Sequence, residues 1–254
     1  MLSFSIKRFS CSKEGNSSIE NEDAFIVPPP EVRDSNIRVA VADGATESSF
    51  SKEWAEMLVF YFYAFDFNNS SFNSNIHGYI RRSWLNRINS NDLPWYAQEK
   101  LELGAFASFV GADINLENGN SEIIAVGDSN CFLFRQNNLE LTFPIEKSED
   151  FGNTPFLISS EANKNETAAS LFAIKSILLL SGDILILATD AISQWLLNEI
   201  ESGNNPIIKI KEMLYEQNDN QAAFQTWLTE ERNNHRIKND DTTILLIELT
   251  DGIT

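Results

Sequence analysis

Between residues 103 and 189 the chain runs through short apolar segments, at 103–114, 121–126, 131–136, 172–180 and 183–189, several of them apolar on both alternating faces. The links among them are turn chemistry: Gly127-Asp128-Ser129-Asn130, Asn137-Asn138 and Ser181-Gly182. A parallel return needs a crossover of roughly a dozen residues or more, so links this short predict antiparallel neighbours. Antiparallel strands that are apolar on both faces must be covered on both. That predicts a sheet packed on a sheet with helices outside, a layered α/β sandwich.

The rest of the chain fits such layers. Phe4, Ile6 and Phe9 form a short alternating run, Ile37 to Ala42 a β-branched one, and Pro28-Pro29-Pro30 between them a loop. Phe50, Trp54, Leu58 and Phe62 recur every four residues, predicting a helix that starts near Ser49 as N-cap. Ile76, Ile80, Trp84 and Ile88 predict a second. Helical stretches follow at 191–200 and 205–230, and Thr242 to Leu249 reads as a closing strand. There is no internal repeat, linker or low-complexity tract, so residues 1–254 read as one domain. The polar stretch 144–169, with Pro144, Gly152 and Pro155, reads as a mobile flap.

Charge narrows the function. Lys and Arg number 19 against 37 Asp and Glu, a net charge of −18. Such a surface repels phosphate backbones and anionic lipid, which argues against nucleic-acid and membrane partners and leaves carboxylates to bind hard cations. Cys11 and Cys131 form no CxxC pair, so neither a disulfide scaffold nor a zinc knuckle is expected. Ile177 to Ala191, the most apolar stretch, is interrupted by Ser181-Gly182-Asp183 and Asp190, and the first residues lack a signal-peptide pattern. A cytoplasmic protein is the expectation.

Four acidic positions share a setting at strand ends. Glu22-Asp23 opens Ala24-Phe25-Ile26-Val27, Asp43-Gly44 closes Val39 to Ala42, Asp190 follows Ile184 to Thr189, and Asp240-Asp241 precedes Ile244 to Ile247. Carboxylates brought together in this way would raise one another's pKa unless a cation lay among them, and hard oxygen donors suit Mg²⁺ or Mn²⁺. Taken singly, each Asp is more often a turn former than a ligand.

Five blocks in order, Asn21-Glu22-Asp23-Ala24, Val41-Ala42-Asp43-Gly44-Ala45, Val126-Gly127-Asp128-Ser129, Leu187-Ala188-Thr189-Asp190-Ala191 and Asp240-Asp241-Thr242-Thr243-Ile244, resemble the signature blocks of the metal-dependent PP2C-type protein phosphatases, the smaller bacterial members above all. The resemblance implies an α+β fold, a four-layer α-β-β-α sandwich with two central antiparallel sheets. It implies an enzyme that hydrolyses phosphoserine and phosphothreonine on proteins, using two Mn²⁺ or Mg²⁺ ions to activate water. Carried over, Asp43 resembles the aspartate bridging both metals, with the Gly44 carbonyl completing one shell. Asp190 and Asp240 resemble ligands of the first metal, and Asp23 with Glu22 the acidic pair at the second. Asp43 and Asp190 are the residues on which catalysis through the metals is expected to depend. Asp241 stands where many relatives carry asparagine and is read as a neighbour.

The pattern has departures. The arginine usual four positions before the glutamate is Ser18 here, with Lys13 the cation in the preceding loop, and the phosphate-binding residue is unassigned. The aspartate that often supplies a third metal site has no counterpart near Gly104. A phosphatase-fold regulatory or phospho-binding protein of weak or absent activity is the alternative. Gly127-Asp128-Ser129 also resembles a block of certain serine esterases, but only His77 and His235 could serve as base, and both lie in polar or helical surroundings. Neither cysteine has an arginine five residues on, which argues against thiolate phosphatase chemistry.

Overall fold

The computed structural model describes residues 1–29, 34–65, 76–88, 93–152, 155–165, 172–215 and 220–252. Two antiparallel sheets form its centre. One contains β1 (Leu2–Cys11), β6 (Asn130–Arg135), β7 (Asn138–Phe143), β10 (Ile184–Ala188) and β11 (Thr242–Asp251), in the order β1-β11-β10-β6-β7. The other contains β2 (Asp23–Ile26), β3 (Asn36–Gly44), β4 (Phe106–Asn115), β5 (Asn120–Val126) and β9 (Ala173–Leu178) in that order, with β8 (Ile158–Ser159) pairing to β4.

Alternation along the strands builds three cores. Val39 and Val41 of β3, Val110 and Ala112 of β4, Leu185 and Leu187 of β10 and Leu245 and Ile247 of β11 meet between the sheets. Their neighbours in sequence turn outward. Ala40, Ala42 and Phe109 pack beneath α1 (Ser51–Ala64), α2 (Arg81–Ile88) and α3 (Trp95–Glu102), where Trp54 and Trp84 meet edge to face. On the far side Ile186 and Leu246 pack beneath α4 (Asp190–Glu201), α5 (Pro206–Tyr215) and α6 (Asn220–Asn233), with Trp195 against Trp227. Strands buried on both faces thus give the expected α-β-β-α layering.

Several local expectations change. Of the three links read as turns, only Asn137-Asn138 joins a hairpin, β6 to β7. Gly127–Ser129 and Ser181-Gly182 instead carry the chain from one sheet to the other, because β5 pairs with β4 and β9 whereas β6 pairs with β10 and β7. A short link can bridge stacked sheets as readily as hydrogen-bonded neighbours, so its length alone does not separate the two. At the second crossing the buried Asp183 takes Arg135 Nε at 2.8 Å and Nη2 at 2.7 Å.

Segment 103–114 begins later as a strand, since Leu103 ends α3, which its short polar sequence had hidden. The first helix starts at Ser51, not after Ser49. Phe50 takes a left-handed conformation there (φ 63°), and its carbonyl accepts from Trp84 Nε1. The second helix opens with a π-helical turn, Ile76–Ile80. Within 144–169, Ser148 hydrogen bonds Glu201, and β8 and the 3₁₀ turn Ala162–Asn165 are formed.

Candidate metal centre

The site lies where the two sheets present strand ends side by side. Asp23, first in β2, is the register partner of Asp43 near the end of β3, and Asp43 in turn faces Ser108 of β4. From the other sheet, Asp190 opens α4 just after β10, and Asp240 and Asp241 sit just before β11, which pairs with β10. The sheet-to-sheet link adds Asp128, 7% exposed.

Their electrostatics show how closely they gather. Burial pushes Asp23 well above the usual carboxylate range, opposed by a hydrogen bond from Thr243 and reinforced by Asp241 and Asp190. Asp43 is likewise pushed well up, first by loss of water and then by Asp23, Asp190, Asp128 and Asp240. Burial and then Asp190 push Asp128 up to about 7. Asp190 is raised by burial and, beyond the opposing Lys238, by Asp240. Four carboxylates raised together are an acidic cluster short of positive charge.

Hydrogen bonds fix the donors. Thr189 Oγ1 donates to Asp23 Oδ2 at 3.1 Å and accepts from the Thr243 amide at 2.9 Å, tying β10 and β11 to β2. Asn21 Oδ1 accepts from the Asp23 amide at 2.9 Å, while Asn21 Nδ2 reaches Ser10, whose hydroxyl meets Thr243 Oγ1. Asp190 accepts from the Ala191 amide at the positive end of α4. At Gly44 an added Cβ would come within 2.8 Å of the Ser51 backbone and 2.9 Å of the Glu22 carbonyl, so only glycine lets β3 run this close to the start of α1.

Not every expected residue joins the cluster in the same way. Successive residues at a strand end face opposite sides, and Glu22 accepts from Ser51 Oγ at 2.6 Å with Lys13 Nζ 3.9 Å away. Ser18 lies exposed in a 3₁₀ turn (Ser18–Glu20). Lys13 Nζ donates to Thr46 Oγ1 at 3.2 Å, at the Glu22 edge of the site. As the side chains stand, no three His, Cys, Asp or Glu groups among the described residues are close enough together to hold a metal ion. The donor chemistry does fit hard divalent cations. Every donor is oxygen, and Asp23 Oδ1 is buried with no hydrogen-bond partner.

Two residues, Asp128 and Lys238, escaped the sequence reading, and Asp241, expected only as a neighbour, is a structural clamp. Asp128 stands in a turn motif where any aspartate could serve. Asp241, 3% exposed, accepts from the Lys13 amide at 2.8 Å on one oxygen and from the Glu22 amide at 2.7 Å on the other. It clamps the Lys13 loop to β2, and asparagine would offer only one acceptor to those two donors. Lys238 places Nζ 2.7 Å from Asp240 Oδ2 and 3.3 Å from Asp190 Oδ2. Ser129, by contrast, is buried and its hydroxyl is paired with Ser108 Oγ at 2.6 Å, not with a histidine, and His235 sits beyond the end of α6.

The two-sheet α-β-β-α sandwich is the fold of PP2C-type phosphatases. Solved structures confirm that fold: the S. agalactiae serine/threonine phosphatase (18% identity, 98% of this chain and 100% of that one, TM-score 0.60), the catalytic domain of the serine threonine protein phosphatase PstP with two manganese ions (12%, 99% and 100%, 0.57), and RsbX with magnesium (18%, 97% and 96%, 0.50). No protein-family model matches the sequence, and no curated protein matches it. Among the described residues no helix is long and apolar enough to cross a membrane.

Proposed function

We propose that the chain is a metal-dependent phosphatase that hydrolyses phosphoserine and phosphothreonine esters on proteins. The observation that carries this reading is the approach of Asp23, Asp43 and Asp190 from two sheets, their pKa values raised by burial and by neighbouring carboxylates, with the Asp240 carboxylate joined to Asp190 through Lys238 Nζ. Asp43 would lie between two Mn²⁺ or Mg²⁺ ions, with the Gly44 carbonyl, Asp190 and Asp240 on one side and Asp23 with Glu22 on the other. When bound, such a pair supplies an activated water and charge stabilisation for in-line attack at phosphorus.

The chain's own residues do the positioning. Thr189 and Thr243 hold Asp23, the N-terminus of α4 orients Asp190, and Asp241 fixes the loop that carries Lys13. An approaching phosphoryl group meets a strongly anionic surface. Lys13, held only by a hydroxyl at 3.2 Å and a carboxylate at 3.9 Å, has donors left for it. The free cysteines Cys11 and Cys131 suit a reducing compartment, and we place the protein in the cytoplasm with phosphoproteins, not nucleic acid or membranes, as partners.

The test is hydrolysis of p-nitrophenyl phosphate and a phosphothreonine peptide with and without Mn²⁺. Activity should require the metal and vanish in Asp43→Asn and Asp190→Asn, with both variants folded. Equal turnover in chelator, or full activity in either variant, contradicts the reading. A second reading, a phospho-binding protein without turnover, is favoured by Ser18 at the usual arginine position. It predicts metal and phosphopeptide binding with no product.

A further inference from the structure

Two of the carboxylates already share a cation that the chain itself supplies. Asp190 and Asp240 lie 50 residues apart in sequence, and their Oδ2 atoms are joined by one ammonium, Lys238 Nζ, at 3.3 and 2.7 Å. A primary ammonium is a compact point charge with three donors on a flexible stem, and here it bridges two oxygens as a small cation would. Its loop is anchored elsewhere: Asn239 Oδ1 accepts from the Glu14 amide at 2.7 Å, and Lys238 O accepts from the Asp240 amide at 3.0 Å. The backbone is therefore fixed while the side chain, 54% exposed, is free to leave. Lys238 also borders a cleft of about 560 Å³ that offers Glu14, Gln194 and Asn198 as acceptors but is lined by Arg232 and Arg236 as well, so a departing ammonium turns toward solvent on the Glu14 side.

We propose that Lys238 is an internal competitor for the divalent cation at Asp190 and Asp240. Its ammonium offsets one of the two carboxylate charges while no metal is bound and must swing away toward solvent before they can close on an ion. The inference rests on the metal-centre reading above. It gives the chain a fold that persists without metal and a binding affinity set below what its carboxylates alone would give. An ordinary surface ion pair would have no such effect, because neither partner would be needed elsewhere.

The experiment is Mn²⁺ titration calorimetry of the full chain and of Lys238→Met and Lys238→Gln, with thermal melts in chelator and in saturating Mn²⁺. Each partly exposed pair is worth about 1.4- to 5-fold in an equilibrium constant, so with two pairs released both variants should bind Mn²⁺ roughly 2- to 25-fold more tightly. They should melt below the wild type in chelator and at or above it in Mn²⁺, a reversal of sign that a merely structural lysine would not produce. Unchanged or weaker Mn²⁺ binding in both variants, or equal losses in melting temperature under both conditions, overturns the proposal while the wild type's own binding leaves the metal centre standing. No binding by any of the three overturns both.

Discussion

Asp128 offers a measurable test of how strained for charge the metal-free cluster is. Its carboxyl is pushed up to about 7, by burial first and Asp190 next, whereas in an unfolded chain it would titrate near the model value of 3.8. For an acid raised on folding, the unfolded state loses its proton first as pH climbs. Stability is therefore intact below the unfolded pKa and is lost progressively until pH passes the folded one. At about 1.36 kcal/mol per pKa unit, the charge costs the fold ~1.5 kcal/mol at pH 5 and ~4 kcal/mol at pH 8. Asp128→Asn keeps the shape and removes the titration. In urea unfolding with chelator, the variant should be more stable than the wild type by these amounts, so the gap should widen by ~2.5 kcal/mol between pH 5 and pH 8. A variant no more stable at pH 8, or a gap independent of pH, would refute the claim that Asp128 belongs to one buried, mutually repelling set.

Two further substitutions have different signs. Asp241→Asn removes one acceptor from a buried carboxylate that serves two backbone amides, so it should destabilise the protein by ~1–3 kcal/mol in the same chelator melts, opposite in direction to Asp128→Asn. Lys13→Met should raise KM for p-nitrophenyl phosphate several-fold with Mn²⁺ titration unchanged, and an unaltered KM would remove Lys13 from the phosphoryl group.

Much of this was legible in residue order. Runs such as Ile184 to Ala188 and Val39 to Ala42 are apolar at every position, and only a strand covered on both faces can use them, so the layers followed from sequence. The acids at their ends were legible because a strand terminus is where a charge can sit beside a buried core. Pairing was not: nothing local says that Asp23 faces Asp43, or that Gly127–Ser129 crosses between sheets instead of turning back. Asp128 and Lys238 were missed for one shared reason. A turn aspartate and a loop lysine look alike whether they face solvent or a distant carboxylate, and only tertiary contacts decide between the two. Glu22 shows the converse, a carboxylate adjacent to Asp23 in sequence whose hydrogen bond goes to Ser51 at the start of α1.

The most direct measurement is anomalous diffraction at the manganese edge from crystals grown with Mn²⁺. Two peaks should appear within bonding distance of Asp23, Asp43, Asp190 and Asp240, with the Lys238 ammonium withdrawn from the last two. Peaks elsewhere, or a site still closed by Lys238 at saturating metal, would contradict a dinuclear centre in this fold.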